Sequence, residues 1–130
     1  MNRQEIALLV NEINSFTPCI TEDHLIRLYD GIEAIIMVAE HRYVKQQQAK
    51  ILEATKFFAE AHKGVRRADE ITPYLIHPLE VVCILFHFGI FNYKVVTAAL
   101  CHDVVEDTDK KKAEIRKKFG YSVSYLVQML

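Results

Sequence analysis

The sequence predicts an all-α protein of six to eight helices. Apolar residues recur at spacings of three and four positions along most of the chain, which is the period of an amphipathic helix. The alternating pattern of a strand is nearly absent, and no internal repeat occurs. The 130 residues, of which 51% are hydrophobic and 25% charged, suffice for one hydrophobic core.

The first two helices are separated by a break at Pro18. Residues 4 to 14 carry one apolar face made of Ile6, Leu9, Val10 and Ile13. Pro18 disfavours a helical conformation at the residue before it, and Thr21 suits the N-cap position of the next helix. That second helix has a long apolar stripe formed by Leu25, Leu28, Ile32, Ile35 and Ala39.

A third helix precedes a long loop. The polar stretch "KQQQAK" at 45 to 50 is either a linker or the exposed start of this helix, and we favour the helix. Its buried face is predicted to be Ile51, Thr55, Phe58 and His62. The stretch "HKGVRRADEITP" at 62 to 73 then loses the helical period and reads as a loop.

The second half of the chain is predicted to contain the remaining helices. Pro78 suits the first position of a helix that runs to about His87. Residues 93 to 104 form a strongly apolar helix, and "DTDK" turns the chain. A lysine-rich helix with an exposed basic face covers 110 to 118, Gly120 ends it, and "YSVSYLVQML" starts one more.

Composition narrows the class of protein and its location. The net charge of -1 provides no strong field for nucleic acid or an anionic membrane, so we expect neither partner. The three cysteines are odd in number and lack a C-x-x-C pair, which is typical of a reduced, cytoplasmic protein. The first residues predict no signal peptide, and no apolar run approaches the ~18 residues of a membrane span.

The stretch "ALCHDVVEDTD" places acidic side chains directly after an apolar segment. On a continuous helix Glu106 lies one turn after His102, and Asp107 lies one turn after Asp103. Carboxylates that enter an apolar environment must be paired, protonated or bound to a metal. Two interpretations therefore stay open at this point: a metal site, or a helix end whose acids are solvated.

The loop "HKGVRRAD" concentrates cationic and hydrogen-bonding side chains. His62, Lys63, Arg66 and Arg67 lie within six positions, and arginine suits phosphate oxygens or the face of a base. Taken alone, this loop is more typical of a solvated surface. His77 precedes Pro78 at a helix start, where a histidine is usually structural unless the fold supplies a partner.

Three ordered stretches resemble a known family. "ATKFFAEAHKGVRRADEITPYLIHPLEVVCIL", "TAALCHDVVEDTD" and "EIRKKFGYSVSYLV" are similar to the hydrolase domain of RelA/SpoT-type (p)ppGpp hydrolases, within the HD superfamily of metal-dependent phosphohydrolases. The likeness covers residues 49 to 127 and implies an HD-type helical bundle. We accordingly expect a partial HD hydrolase domain over 46–130, preceded by an N-terminal helical extension over 1–45.

The resemblance implies a role for each matching residue of the metal site. His77, His102 and Asp103 match metal ligands, and the ion usual in this family is Mn²⁺, although spacing cannot choose among divalent cations. Glu106 and Asp107 match the acidic pair that handles the nucleophilic water and its proton. The implied reaction removes the 3′-pyrophosphate of (p)ppGpp and leaves GDP or GTP.

The same resemblance implies a nucleotide contact in the loop. Arg67 matches the arginine that packs against the guanine nucleotide. The next position, usually Lys in the long enzymes, is Ala68 here, and Arg66 is the candidate to replace that charge.

The family also uses a fourth metal ligand, an Asp several tens of residues after the His-Asp doublet. Only 27 residues follow Asp103, so we expect a fragment, a naturally short protein, or a site completed by a second subunit. Exposed apolar helices would then favour a homodimer. Two other functions stay open: an inactive nucleotide-binding or dimerisation module with the HD fold, and an HD phosphohydrolase for another nucleotide.

Overall fold

A computed structural model shows an all-α chain, as predicted. It describes residues 1–107 and 112–129, and within them all side chains except those of Glu106 and Asp107. The described residues form eight helical elements, within the predicted number: α1 (Arg3–Asn14), α2 (Glu22–Arg42), α3 (Lys45–Ala61), α4 (Ile76–His87), α5 (Tyr93–Cys101), α6 (Val104–Asp107), α7 (Lys112–Phe119) and α8 (Tyr121–Met129). The predicted turn "DTDK" and the predicted helix start at residue 110 lie largely outside the described residues.

Side-chain caps explain where several helices begin. The side-chain oxygen of Thr21 accepts a hydrogen bond from the His24 amide at 3.1 Å, which confirms the predicted N-cap of α2. Helix α4 begins two residues earlier than predicted, so Pro78 is its third residue. A proline is tolerated there because the amides of the first turn have no partner within the helix.

One continuous hydrophobic core joins the helices. It contains buried side chains from α1 through α8. The helix α2 packs against α4, where a Cβ on Gly31 would lie 3.0 Å from Cβ of Leu79. This contact explains a glycine inside a long helix. The predicted apolar stripe of α2 is buried except at Leu25, which is 40% exposed.

The predicted helix over 93 to 104 is interrupted. The helix α5 ends at Cys101, and α6 begins at Val104, with His102 and Asp103 in a turn between them. The ring nitrogen Nδ1 of His102 lies 2.6 Å from the carbonyl oxygen of Ala99, which the amide of residue 103 would bond in a continuous α-helix. The expectation of unbroken helical spacing from His102 to Asp107 was therefore wrong.

The predicted loop after α3 contains a short hairpin. Arg66 and Pro73 form an isolated antiparallel bridge, and the Arg67 amide donates to the carbonyl of Thr72 at 2.8 Å. We call residues 65–74 the hairpin loop. His62 belongs to the core rather than to this loop, because it is fully buried with Nδ1 2.9 Å from the Phe58 carbonyl. It therefore does not add a surface donor, contrary to one interpretation of "HKGVRRAD".

The C-terminal helix has a buried and an exposed side. The helix α8 buries Val123 and Val127, while Tyr121, Tyr125 and Met129 are exposed. The homodimer and the division into 1–45 and 46–130 stay predictions. No helix among the described residues is long and apolar enough to cross a membrane.

Candidate metal centre

The fold brings three predicted ligands together from two elements. His77 lies in the first turn of α4, and His102 and Asp103 form the turn between α5 and α6. One ligand atom from each residue lies within 4.8 Å of the others. Helix α4 packs against α5, and this contact closes the sequence gap between His77 and the doublet.

Asp103 is the centre of this cluster. Its carboxylate is buried, with Oδ1 3.1 Å from Nε2 of His102 and Oδ2 3.7 Å from Nε2 of His77. Two ligands bound to one ion at about 2.1 Å lie about 3 to 3.5 Å apart in octahedral or tetrahedral geometry. The first distance falls in that range and the second, to the other carboxylate oxygen, is slightly longer; with one ligand atom from each residue within 4.8 Å of the others, the three residues could hold a divalent ion.

The orientation of His102 also suits a cation. Because Nδ1 faces the carbonyl of Ala99 at 2.6 Å, it is the nitrogen that donates. In the neutral ring, Nε2 then directs a lone pair towards the carboxylate of Asp103. Two acceptors at that separation repel each other unless a proton or a cation lies between them. A carbonyl that fixes the tautomer of a histidine is a common feature of metal sites.

Sequence reasoning missed Tyr74. Its hydroxyl donates a hydrogen bond to Oδ2 of Asp103 at 2.8 Å. The Tyr74 ring lies edge-on to the ring of His77, with centroids 5.7 Å apart. Its position three residues before His77 in "PYLIHP" was the available signal, since the chain turns here, with the His77 amide donating to the Tyr74 carbonyl at 3.0 Å.

The two arginines of the hairpin loop differ in their surroundings. The guanidinium of Arg66 donates to the carbonyls of Ile71 and Pro18, each at 2.9 Å. The guanidinium of Arg67 lies over the ring of Tyr74, 5.9 Å from its centroid. Arg67 thus contacts Tyr74, which in turn bonds Asp103 of the cluster, whereas Arg66 connects two segments of backbone.

The predicted catalytic pair is only partly described. Glu106 and Asp107 belong to α6, which begins directly after Asp103, but their side chains lie outside the described residues. A cavity of about 240 Å³ borders the cluster and is lined by Val81, Leu85, Val95, Ala99 and His102. A larger cavity of about 410 Å³, next to Arg42 and Phe91, includes none of the cluster residues.

Comparison with known proteins gives relatives whose names include hydrolysis of guanosine bis(diphosphate). The guanosine-3′,5′-bis(diphosphate) 3′-pyrophosphohydrolase MESH1 of Xenopus tropicalis is 51% identical over 82 residues, which cover 62% of this chain and 46% of the relative. Human MESH1 is 46% identical over 84 residues, covering 63% of this chain and 47% of its own length. The chain therefore spans about half the length of these curated relatives.

A more distant relative is bacterial. The bifunctional (p)ppGpp synthase/hydrolase SpoT of Escherichia coli is 34% identical over 102 residues, which cover 78% of this chain and 14% of SpoT. Residues 54–130, more than half of the chain, match the HD domain family. The resemblance inferred from three sequence stretches is thereby confirmed, and this chain belongs to the HD domain family.

Proposed function

We propose that this chain carries a guanosine 3′,5′-bis(diphosphate) 3′-pyrophosphohydrolase site that uses Mn²⁺. The observation that carries the proposal is the buried carboxylate of Asp103 between the Nε2 atoms of His77 and His102. Relatives that are 46–51% identical over 82 to 84 residues bear the name of this activity.

The metal would be held by His77, His102 and Asp103. Two imidazoles and one carboxylate form a donor set that suits a borderline divalent ion such as Mn²⁺, although Zn²⁺ or Fe²⁺ accept the same donors. When bound, such an ion lowers the pKa of a water and polarises a phosphoryl oxygen. Both imidazoles are only partly buried, with side chains that are 33% exposed for His77 and 21% exposed for His102, which supports access to the cluster from solvent.

The remaining steps of the reaction would be carried out by side chains of this protein. Glu106 or Asp107 accepts the proton of the attacking water, a role supported by their place directly after Asp103. The water oxygen bonds to the phosphorus attached to the ribose 3′ oxygen, the bond from that phosphorus to the 3′ oxygen breaks, and the 3′ oxygen leaves with a proton. The products are pyrophosphate and GDP from ppGpp, or GTP from pppGpp.

Arg67 would orient the nucleotide. Among the described residues its guanidinium makes no hydrogen bond or ion pair, and it lies over Tyr74 next to the cluster. A planar guanidinium in this position can stack on a guanine base or bond a phosphate. Arg66 is less available, because two of its N–H groups already bond backbone carbonyls.

The test is pyrophosphate release from ppGpp by the 130-residue chain with Mn²⁺. Asp103→Asn should reduce the rate by at least about 100-fold, since it removes the central charge while keeping the side-chain shape. Asp30→Asn, at an exposed position of α2, removes the same charge elsewhere and should keep full activity. Absence of release by the wild type would disprove the catalytic proposal.

Two further measurements separate the alternatives. Calorimetric binding of ppGpp without turnover, and without dependence on Mn²⁺, would favour the nucleotide-binding module. Release of phosphate or pyrophosphate only from other nucleotides would favour an HD phosphohydrolase of different specificity.

We also propose a cytoplasmic location, supported by three free cysteines, and a homodimer, supported by the exposed side of α8 and testable by light scattering.

A further inference from the structure

We propose that Tyr74 is a positioning residue that fixes the carboxylate of Asp103 for metal binding. This inference rests on the proposed metal site and adds a residue that neither the sequence motifs nor the names of the relatives assign. The central observation is the 2.8 Å hydrogen bond from the Tyr74 hydroxyl to Oδ2 of Asp103.

The hydrogen bond selects one orientation of the carboxylate. With Oδ2 accepting from Tyr74, Oδ1 is directed to His102 and Oδ2 lies 3.7 Å from His77. Rotation about the bond that carries the carboxylate is broad and two-fold for aspartate, so rotamer preference alone does not fix this orientation. The hydrogen bond from the Tyr74 hydroxyl to Oδ2 restricts this rotation before a metal binds.

The ring of Tyr74 is itself held in place. It stacks on the ring of His62, with centroids 4.8 Å apart and an angle of 19° between the planes. His62 is fully buried, and its Nδ1 lies 2.9 Å from the Phe58 carbonyl. The Tyr74 amide also donates to the carbonyl of Val65 at 2.9 Å. Backbone and ring are thus both fixed, so the hydroxyl is a stable reference point.

This arrangement connects the hydrophobic core to the metal cluster through two side chains, those of His62 and Tyr74. Helix α3 ends next to His62, His62 supports Tyr74, and Tyr74 supports Asp103. Groups that hydrogen-bond metal ligands typically change metal affinity by about 10- to 100-fold when they are removed. Tyr74 should therefore influence the affinity for the metal more than it influences the stability of the fold.

The test compares Mn²⁺ and Co²⁺ binding by the 130-residue chain, measured by isothermal titration calorimetry, between wild type and Tyr74→Phe. Phenylalanine keeps the ring and its stack on His62 and removes only the hydroxyl. We expect the dissociation constant for either ion to rise about 10- to 100-fold, and the visible absorption bands of bound Co²⁺ to change.

Tyr43→Phe is the matched control. The Tyr43 hydroxyl donates to the carbonyl of Phe91 at 2.7 Å, away from the cluster, so this variant also loses one hydroxyl hydrogen bond. Metal affinity should stay at the wild-type value in Tyr43→Phe. Circular dichroism of all three proteins checks that each is folded.

Two outcomes overturn the inference and are distinguishable from each other. If wild type and Tyr74→Phe bind Mn²⁺ and Co²⁺ equally, Tyr74 does not position Asp103, while the metal site stands. If the wild type binds neither ion, the metal site of the proposed function falls, and the role of Tyr74 falls with it. A lower melting temperature of Tyr74→Phe with unchanged metal affinity assigns Tyr74 a structural role only.

Discussion

The hairpin loop and the turn at residues 102–103 both deliver side chains to the candidate metal centre, but they are held by different forces. The loop provides Tyr74 and Arg67, and the turn provides His102 and Asp103. One is held mainly by polar groups at the surface, and the other by burial in the core. This difference decides how each part of the site should respond to mutation and to pH.

Polar contacts hold the hairpin loop. The Asp69 carboxylate accepts hydrogen bonds from the amides of Ile71 and Thr72 and from the Thr72 hydroxyl, at 2.5 to 2.9 Å. Arg66 connects the loop to Pro18. Asp69 and Glu70 are exposed, and Glu70 has a positive φ of 61°, a conformation that costs non-glycine residues energy.

Core packing holds the turn at 102–103. Leu100, Cys101 and Val104 on either side of it are fully buried. Burial also raises the pKa of the Cys101 thiol to about 12. The ligands of the turn are thus fixed by the same contacts that stabilise the whole fold, whereas we expect the exposed tip of the loop around Asp69 and Glu70 to open without global unfolding.

Leu100→Ala should produce the largest effect, because it leaves a cavity directly before the turn. Deleting a fully buried leucine side chain costs about 2 to 5 kcal/mol of unfolding free energy. Denaturant unfolding monitored by circular dichroism measures this loss. Metal affinity should fall in the same variant, because Asp103 lies only three residues further on.

Leu8→Ala provides the matched control for that prediction. Leu8 lies on α1 and is 68% exposed, so the same truncation should change the unfolding free energy by no more than about 0.5 kcal/mol. Equal losses in Leu8→Ala and Leu100→Ala would contradict the claim that core packing holds the turn.

The sequence predicted the helices and the ligand cluster better than it predicted the local geometry of the site. The period of three and four identified the buried faces, and the family resemblance implied that His77, His102 and Asp103 lie together. The break at His102 was missed, because apolar periodicity continues through it and only the bond to Ala99 reveals it. Tyr74 was missed for a similar reason: its partner Asp103 is 29 positions away, and the hairpin loop brings them together.

The two adjacent arginines show a second limit of sequence reasoning. The dipeptide "RR" does not indicate which of the two guanidinium groups bonds backbone carbonyls and which lies next to the metal centre. That choice depends on the antiparallel bridge between Arg66 and Pro73, since neighbouring residues of an extended segment point to opposite sides. The side chains of Glu106 and Asp107 lie outside the described residues, so their roles stay predictions.

Lowering the pH should open the hairpin loop before the core unfolds. The hydrogen bonds from the Thr72 side chain and amide and from the Ile71 amide lower the pKa of Asp69 from 3.8 to about 2. A depressed pKa in the folded state stabilises the loop above the unfolded value near 4, and this contribution is lost as the pH falls from about 4 towards 2. The amide chemical shift of Thr72, followed by NMR, should report the transition.

Asp69→Asn tests the cause of that transition. The amide side chain keeps the size of aspartate but is a weaker acceptor and does not titrate, so the step between about pH 4 and 2 should disappear at Thr72. Glu70→Gln removes a neighbouring exposed charge and should leave the step unchanged. Persistence of the step in Asp69→Asn would show that another group controls the loop.

Arg67→Gln should produce the smallest effect on stability and thereby separate the two arginines. Arg66→Gln breaks two hydrogen bonds to backbone carbonyls and should cost about 1 kcal/mol of unfolding free energy. Among the described residues the Arg67 side chain makes no hydrogen bond, so the unfolding free energy of Arg67→Gln should stay within about 0.5 kcal/mol of wild type.

The KM of Arg67→Gln for ppGpp should nevertheless rise, because the guanidinium next to Tyr74 is the group proposed to contact the nucleotide. Thermal unfolding and steady-state kinetics on both variants give the comparison, and a higher KM in Arg66→Gln with no change in Arg67→Gln would exchange the roles assigned to these residues.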